Sequence, residues 1–269
     1  MIKISIQKKL KMAGGITTLV IDTEIESREL VTVFGRSGAG KTTLLRMVAG
    51  LLQPEKGRIE VNGKVWLDTE KKISLPVQER RIGFVFQEPA LFPNMSVRQN
   101  LQYAAGKNTG KDRDLVARLL PMVALAALAD RKPGTLSGGQ QQRIAMIRAL
   151  ASRPELLLLD EPFSSLDVEM RHRLRDELHA LHREFNLTTL LVTHDMADIY
   201  RLADRVVLID EGKVLRSGKP GEVFGEASVS SKVRLQGEIL QISKSGVAYI
   251  VEILTGNTDI KVVAAEEAI

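Results

Sequence analysis

Residues 35–42 read GRSGAGKT and fill every position of the pattern G-x-x-x-x-G-K-[ST]. The β-prone run Leu30-Val31-Thr32-Val33-Phe34 leads into it, and Thr43-Leu44-Leu45-Arg46-Met47-Val48-Ala49 leaves it with helical character, so the expected context is strand, loop, helix. Gly35, Gly38 and Gly40 can take backbone angles that other residues avoid. The loop, with Arg36, Ser37, Ala39 and Thr43, can therefore curl until its N–H groups converge on phosphate oxygens. The helix N-terminus adds partial positive charge at the same point. Lys41 would reach the β- and γ-phosphates, and Thr42 would offer its hydroxyl to Mg2+. A glycine-rich turn without a ligand is the ordinary alternative, and the flanking strand and helix make it the weaker one. The expectation is a nucleoside triphosphate site.

Two further stretches carry chemistry. Leu156-Leu157-Leu158-Leu159 reads as a parallel strand buried on both faces, and Asp160-Glu161 then fall at its carboxyl end, where ligands of such sheets bind. Asp160 would hold Mg2+ through water, and Glu161 would polarise an attacking water as general base. Alone, these acids would be weak evidence; beside a phosphate loop they are the partner it needs. Leu136-Ser137-Gly138-Gly139-Gln140 is the third stretch. Ser137 can cap the helix that follows, and the two glycines let backbone approach a ligand, which makes a second anion-directed helix terminus in one chain. One nucleotide does not obviously need two.

The order of these motifs resembles that of the ATP-binding subunits of ABC transporters, over about residues 1–225. The resemblance implies ATP and Mg2+ as cofactors and a head-to-tail homodimer, in which Ser137, Gly138, Gly139 and Gln140 of one copy close over the γ-phosphate held by Lys41 of the other. It makes Gln87 the residue that touches Mg2+ and the attacking water, and makes His194, at the end of Leu190-Leu191-Val192-Thr193, a donor to the γ-phosphate. Ser164-Ser165-Leu166-Asp167 resembles the loop that crosses the dimer interface. The segment from Gln87 to Pro93 resembles the region that faces a membrane permease, with a substrate-binding protein engaged only indirectly and the subunit peripheral on the cytoplasmic face of the membrane. Taken singly, each of these residues has an ordinary reading: a polar strand end for Gln87, a helix cap for Asp167, a surface histidine for His194. One position departs from the family. Where an aromatic usually stacks on adenine, this chain has Leu10-Lys11-Met12-Ala13-Gly14, so Leu10 or Met12 would pack on the base and the phosphates would supply most of the grip.

These residues need a scaffold, and composition allows one. The chain has 269 residues, 44% hydrophobic and 26% charged, enough for one large domain with a small appendage. Its net charge of +5 is too mild to argue for nucleic acid and is compatible with work at an anionic membrane surface. Cysteine is absent, which excludes disulfides and thiolate metal sites. No segment approaches the roughly 20 apolar residues that span a bilayer, and Met1 to Ser5 alternates like a strand instead of reading as a signal peptide.

The predicted fold class is α/β: a P-loop ATPase core with a mixed, mostly parallel sheet, an antiparallel β subdomain with a hairpin at Asn62-Gly63, and a helical subdomain inserted at about residues 88–153. The ATP-binding domain is expected to span residues 1–229. Residues 230–269 read as short strands, similar to the start of an oligonucleotide-fold-like regulatory module. His172, His179 and His182 share one predicted helix, but Met170, Leu174, Leu178, Leu181 and Phe185 form its apolar stripe. The three histidines are therefore expected to face solvent and to bind no metal.

The combination of SGAGKT, Trp66-Leu67-Asp68, Leu75-Pro76 before Arg80-Arg81-Ile82-Gly83, and the FQEPALFPNMSV stretch most resembles the ATP-binding subunits of molybdate importers, with sulfate, iron and polyamine importers as alternatives. Soluble ABC-type ATPases acting on DNA or ribosomes form a different class; they carry coiled coils or paired ATPase halves, and this chain shows one set of motifs and no heptad run.

Overall fold

The computed structural model describes residues 1–12, 15–106, 110–164, 166–224, 237–245, 248–256 and 258–265. In chain order the elements are β1 (Ile2–Met12), β2 (Gly15–Ile25), β3 (Leu30–Gly35), α1 (Lys41–Ala49), β4 (Lys56–Val61), β5 (Lys64–Asp68), β6 (Ile73–Ser74), β7 (Ile82–Val85), α2 (Val97–Ala105), α3 (Gly110–Met122), α4 (Gly138–Ala151), β8 (Leu156–Asp160), α5 (Val168–Glu184), β9 (Thr189–Val192), α6 (Met196–Leu202), β10 (Arg205–Asp210), β11 (Lys213–Gly218), α7 (Pro220–Phe224), β12 (Glu238–Ser245), β13 (Ala248–Thr255) and β14 (Thr258–Ala265). The chain divides into two compact units, residues 1–225 and 226–269.

In the larger unit one sheet runs in the order β6-β5-β4-β1-β2-β11-β10-β3-β9-β8-β7. Strands β10, β3, β9, β8 and β7 pair in parallel, whereas β1, β2, β4, β5 and β6 pair antiparallel. The leucine run is wholly buried in β8, and its alternate side chains enter different cores. Leu157 and Leu159 join α4, α5 and the helical insertion. Leu156 and Leu158 join α1 and the antiparallel strands. Strand β1 alternates as a half-buried strand should, with Ile2, Ile4 and Ile6 inward. At the hairpin, Asn62 and Gly63 hold φ of 50° and 79°, the left-handed pair that a two-residue turn of this hand requires.

Register brings the chemistry to one edge. Val33 pairs with Val192 and Asp160 pairs with Val192, so β3, β9 and β8 end side by side. The phosphate loop, the acid pair and His194 all follow those ends.

One expectation is corrected. His172 and His179 are exposed, but His182 is 7% exposed, with Nδ1 3.0 Å from the Thr189 hydroxyl. It sits in the last turn of α5, where the chain reverses into β9 and Thr189 folds over it. Burial lowers its pKa, an effect opposed in part by Asp204.

In the smaller unit, β12, β13 and β14 form an antiparallel sheet in that order. Of the segment expected to form short strands, residues 230–236 lie outside the described residues, and β12 starts at Glu238.

Arg80 ties the antiparallel strands to α1. It is 2% exposed. Its Nε donates to the Leu75 carbonyl at 3.0 Å, Nη1 to those of Met47 and Val48 at 3.1 and 2.8 Å, and Nη2 to that of Trp66 at 3.4 Å. A guanidinium at the last carbonyls of α1 completes a helix whose other end is the phosphate loop. Burial lowers its pKa. Arg80→Leu strands these carbonyls in the core and should cost about 3 kcal/mol, read as a lower urea midpoint at unchanged slope.

Candidate functional site

Lys41 is buried at the first position of α1, and its ammonium donates to the carbonyls of Gly35 and Arg36 at 2.7 and 2.8 Å. An ammonium carries three donors, so one remains for a phosphate oxygen. Burial lowers the Lys41 pKa, while Glu161 and Asp160 act to raise it. Gly35 is forced by space: a Cβ there would lie 2.1 Å from the Ile209 carbonyl oxygen. Gly38 is forced by backbone, at φ 82°. The turn at Ser37 and Ala39 passes from the end of β3 to Gly40, and Thr42 and Thr43 stand in the first turn of the helix.

Thr42 donates its hydroxyl to the Asp160 carboxylate at 2.8 Å. Burial raises the Asp160 pKa, opposed by the Thr42 hydrogen bond. A hydroxyl and a buried carboxylate side by side are hard oxygen donors, a set that fits Mg2+.

Glu161 has φ 46°, a strained angle for a non-glycine residue. Its amide donates to the Val192 carbonyl at 2.9 Å, which turns the side chain out of the strand line and leaves its carboxylate 3.2 Å from His194 Nδ1. The His194 side chain is 65% exposed. Ser164 bonds back to the Glu161 carbonyl at 3.1 Å and accepts from Gln87 Nε2 at 3.3 Å. Ser164, to which sequence reasoning gave no part in the chemistry, thus links Gln87 to Glu161, and Glu161 meets His194 directly.

The turn at 137–140 is a reciprocal cap. The Ser137 hydroxyl accepts from the Gln140 amide at 3.3 Å, and the Gln140 side chain accepts from the Ser137 amide at 3.0 Å. Gly138 has open space about it, whereas a Cβ on Gly139 would lie 2.7 Å from Met170 Cγ on α5. Among the described residues, the hydrogen bonds of this turn stay within it and α4. Asp167 caps α5, accepting from the Met170 amide at 2.8 Å. Leu10 reaches the phosphate loop, its Cδ1 3.2 Å from where a Cβ on Gly40 would stand. Ala13, Gly14, Ser165 and the Met12 side chain lie outside the described residues.

Residues 20–164 match the sequence pattern of the family described as ABC transporter. This chain belongs to the ABC transporter family. The molybdenum import ATP-binding protein ModC of Escherichia coli strain K12 is 44% identical to it over 209 residues, covering 78% of this chain and 58% of that protein. The protein of the same name from Salmonella choleraesuis strain SC-B67 is 41% identical over 231 residues, covering 85% and 65%. This ABC family member therefore spans 58% to 65% of the length of these curated relatives. A solved ATP-binding cassette in a dimeric, post-hydrolysis state bound to ADP and Pi is 31% identical, with a TM-score of 0.69 over 82% of this chain and 99% of that one. The cbiO1 protein of Clostridium perfringens, part of an ABC transporter complex, is 30% identical with a TM-score of 0.71, over 84% and 90%.

The two kinds of glycine give a direct contrast. Gly35→Ala must move backbone at Ile209 and should lose at least about 3 kcal/mol of stability, whereas Gly138→Ala should stay within about 0.5 kcal/mol of the parent in the same denaturant titration.

Proposed function

We propose that this chain is the ATP-hydrolysing subunit of an ABC importer, peripheral on the cytoplasmic face of a membrane, that drives molybdate or a related oxyanion through a partner permease. The observation that carries the reading is the joint geometry at one sheet edge: Thr42 on Asp160 at 2.8 Å, and Glu161 beside His194 at 3.2 Å, both next to the glycine loop. When bound with ATP, Mg2+ would neutralise charge on the β- and γ-phosphates, held by Thr42, Gln87 and Asp160.

The chain's own groups supply the rest. Backbone amides from Gly35 to Thr43 bind the phosphates, and Lys41 adds its remaining donor. Glu161 orients the attacking water and accepts its proton, and His194 donates to the γ-phosphate. Ser137 to Gln140 of a second copy, with Asp167 at the crossing loop, complete the pocket and exclude water.

A permease is supported by an exposed apolar patch beyond Gln87. Phe92 and Tyr103 meet edge to face at 4.9 Å, with the Arg148 guanidinium 5.6 Å from the Phe92 ring centre. Both rings are well exposed. No helix among the described residues is long and apolar enough to cross a membrane. The cargo class follows the relatives named for molybdenum import. A substrate-binding protein would act through that permease, and no nucleic acid takes part.

Glu161→Gln keeps the shape of the side chain and removes its basicity. ATP affinity should stay within about threefold, ATP should hold the variant as a dimer in light scattering, and turnover should fall by about 10^2 or more. Undiminished turnover would remove Glu161 from the role of base.

A further inference from the structure

Helix α5 holds the segment that carries His194. Arg171 and Arg175 lie four residues apart and face the same way. The Arg175 and Asp198 side chains are 3% and 1% exposed, and Arg175 Nε donates to Asp198 Oδ1. The Thr193 hydroxyl donates to the other Asp198 oxygen. Arg175 Nη2 and Arg171 Nη1 both donate to Asp195 Oδ2, at 2.7 and 3.1 Å. The Asp195 amide returns to the Thr193 hydroxyl at 3.1 Å, and Asp195 Oδ1 accepts from the Ala197 amide at 2.8 Å. Arg171 Nη2 reaches the Leu166 carbonyl at 3.2 Å, so the same helix face also grips the chain entering α5.

Both neighbours of His194 are therefore tied down, although the imidazole itself is exposed. A buried ion network of this kind adds little net stability, because desolvation offsets its attraction, but its geometry is narrow. Two guanidiniums meet two carboxylates, and a shift of α5 or of residues 193–198 breaks several charged hydrogen bonds at once. We propose that Arg171 and Arg175 are positioning residues for His194: acting through Asp195, Asp198 and Thr193, they fix where the imidazole stands against Glu161. The proposal rests on the ATPase reading above for its effect on turnover, but its structural part is separately testable.

Asp195→Asn keeps the Oδ1 acceptor for Ala197 and removes the charge that gathers the two arginines. In the full chain, kcat for ATP should fall about tenfold or more with KM within about threefold. The double variant His194→Ala/Asp195→Asn should be no slower than His194→Ala alone, within about twofold, since both losses act through one imidazole. Amide hydrogen exchange over residues 193–197, measured without nucleotide, should quicken about tenfold or more in Asp195→Asn and in Arg171→Gln, the second variant lying at the more exposed end of the network. Losses that multiply in the double variant, or exchange that stays unchanged, would overturn the positioning role. A parent chain that binds ATP but never turns it over would instead sink the ATPase reading, and the exchange result would still decide the latch.

Discussion

Four consecutive leucines, Leu156 to Leu159, can all be buried only if a core lies on each side of their sheet. That constraint organises the larger unit. One core requires α1 and the antiparallel strands, and the other requires α4, α5 and the helical insertion. With both faces covered, polar groups can leave the sheet only at strand ends, and parallel pairing of β3, β9 and β8 puts three such ends together. The phosphate loop, Asp160 and His194 meet there because the interior has no room for them elsewhere.

The same packing couples parts that lie far apart in the chain. Helix α1 begins at the phosphate loop, where no side chain caps its first amides, and ends on Arg80, which donates to two of its last carbonyls. Helix α5 touches Gly139 through Met170 on one side and holds residues 193–198 through Arg171 and Arg175 on another. Movement of the 137–140 turn therefore bears on the helix that sets His194. In the head-to-tail dimer proposed above, those two features of one copy would serve different nucleotides, and α5 would lie between them.

Much of this was legible in the sequence, for local reasons. A glycine loop between strand and helix, an apolar run ending in acids, an Asn-Gly hairpin and a serine cap are each set by residues within a few positions, and each stands where local chemistry puts it. What escaped depends on distant partners. Arg80 looks like a surface cation until Met47, Val48 and Trp66 close around it. His182 falls off the apolar stripe of α5, and only the return of Thr189 buries it. Arg175 and Asp198 are 23 residues apart, and nothing in their spacing distinguishes them from surface charges. Ser164 gains its link to Gln87 only when β7 and β8 pair.

The presence of two anion-directed helix termini in one chain makes most sense if the phosphate loop holds one nucleotide and the 137–140 turn closes over the nucleotide held by the other copy. With no native cysteine, the chain allows a clean test. In Ser37→Cys/Ser137→Cys, oxidation in the presence of ATP should give a covalent dimer on a non-reducing gel, and oxidation with ADP should give little. A disulfide formed within single chains, or no nucleotide-dependent dimer at all, would contradict a site shared between two copies.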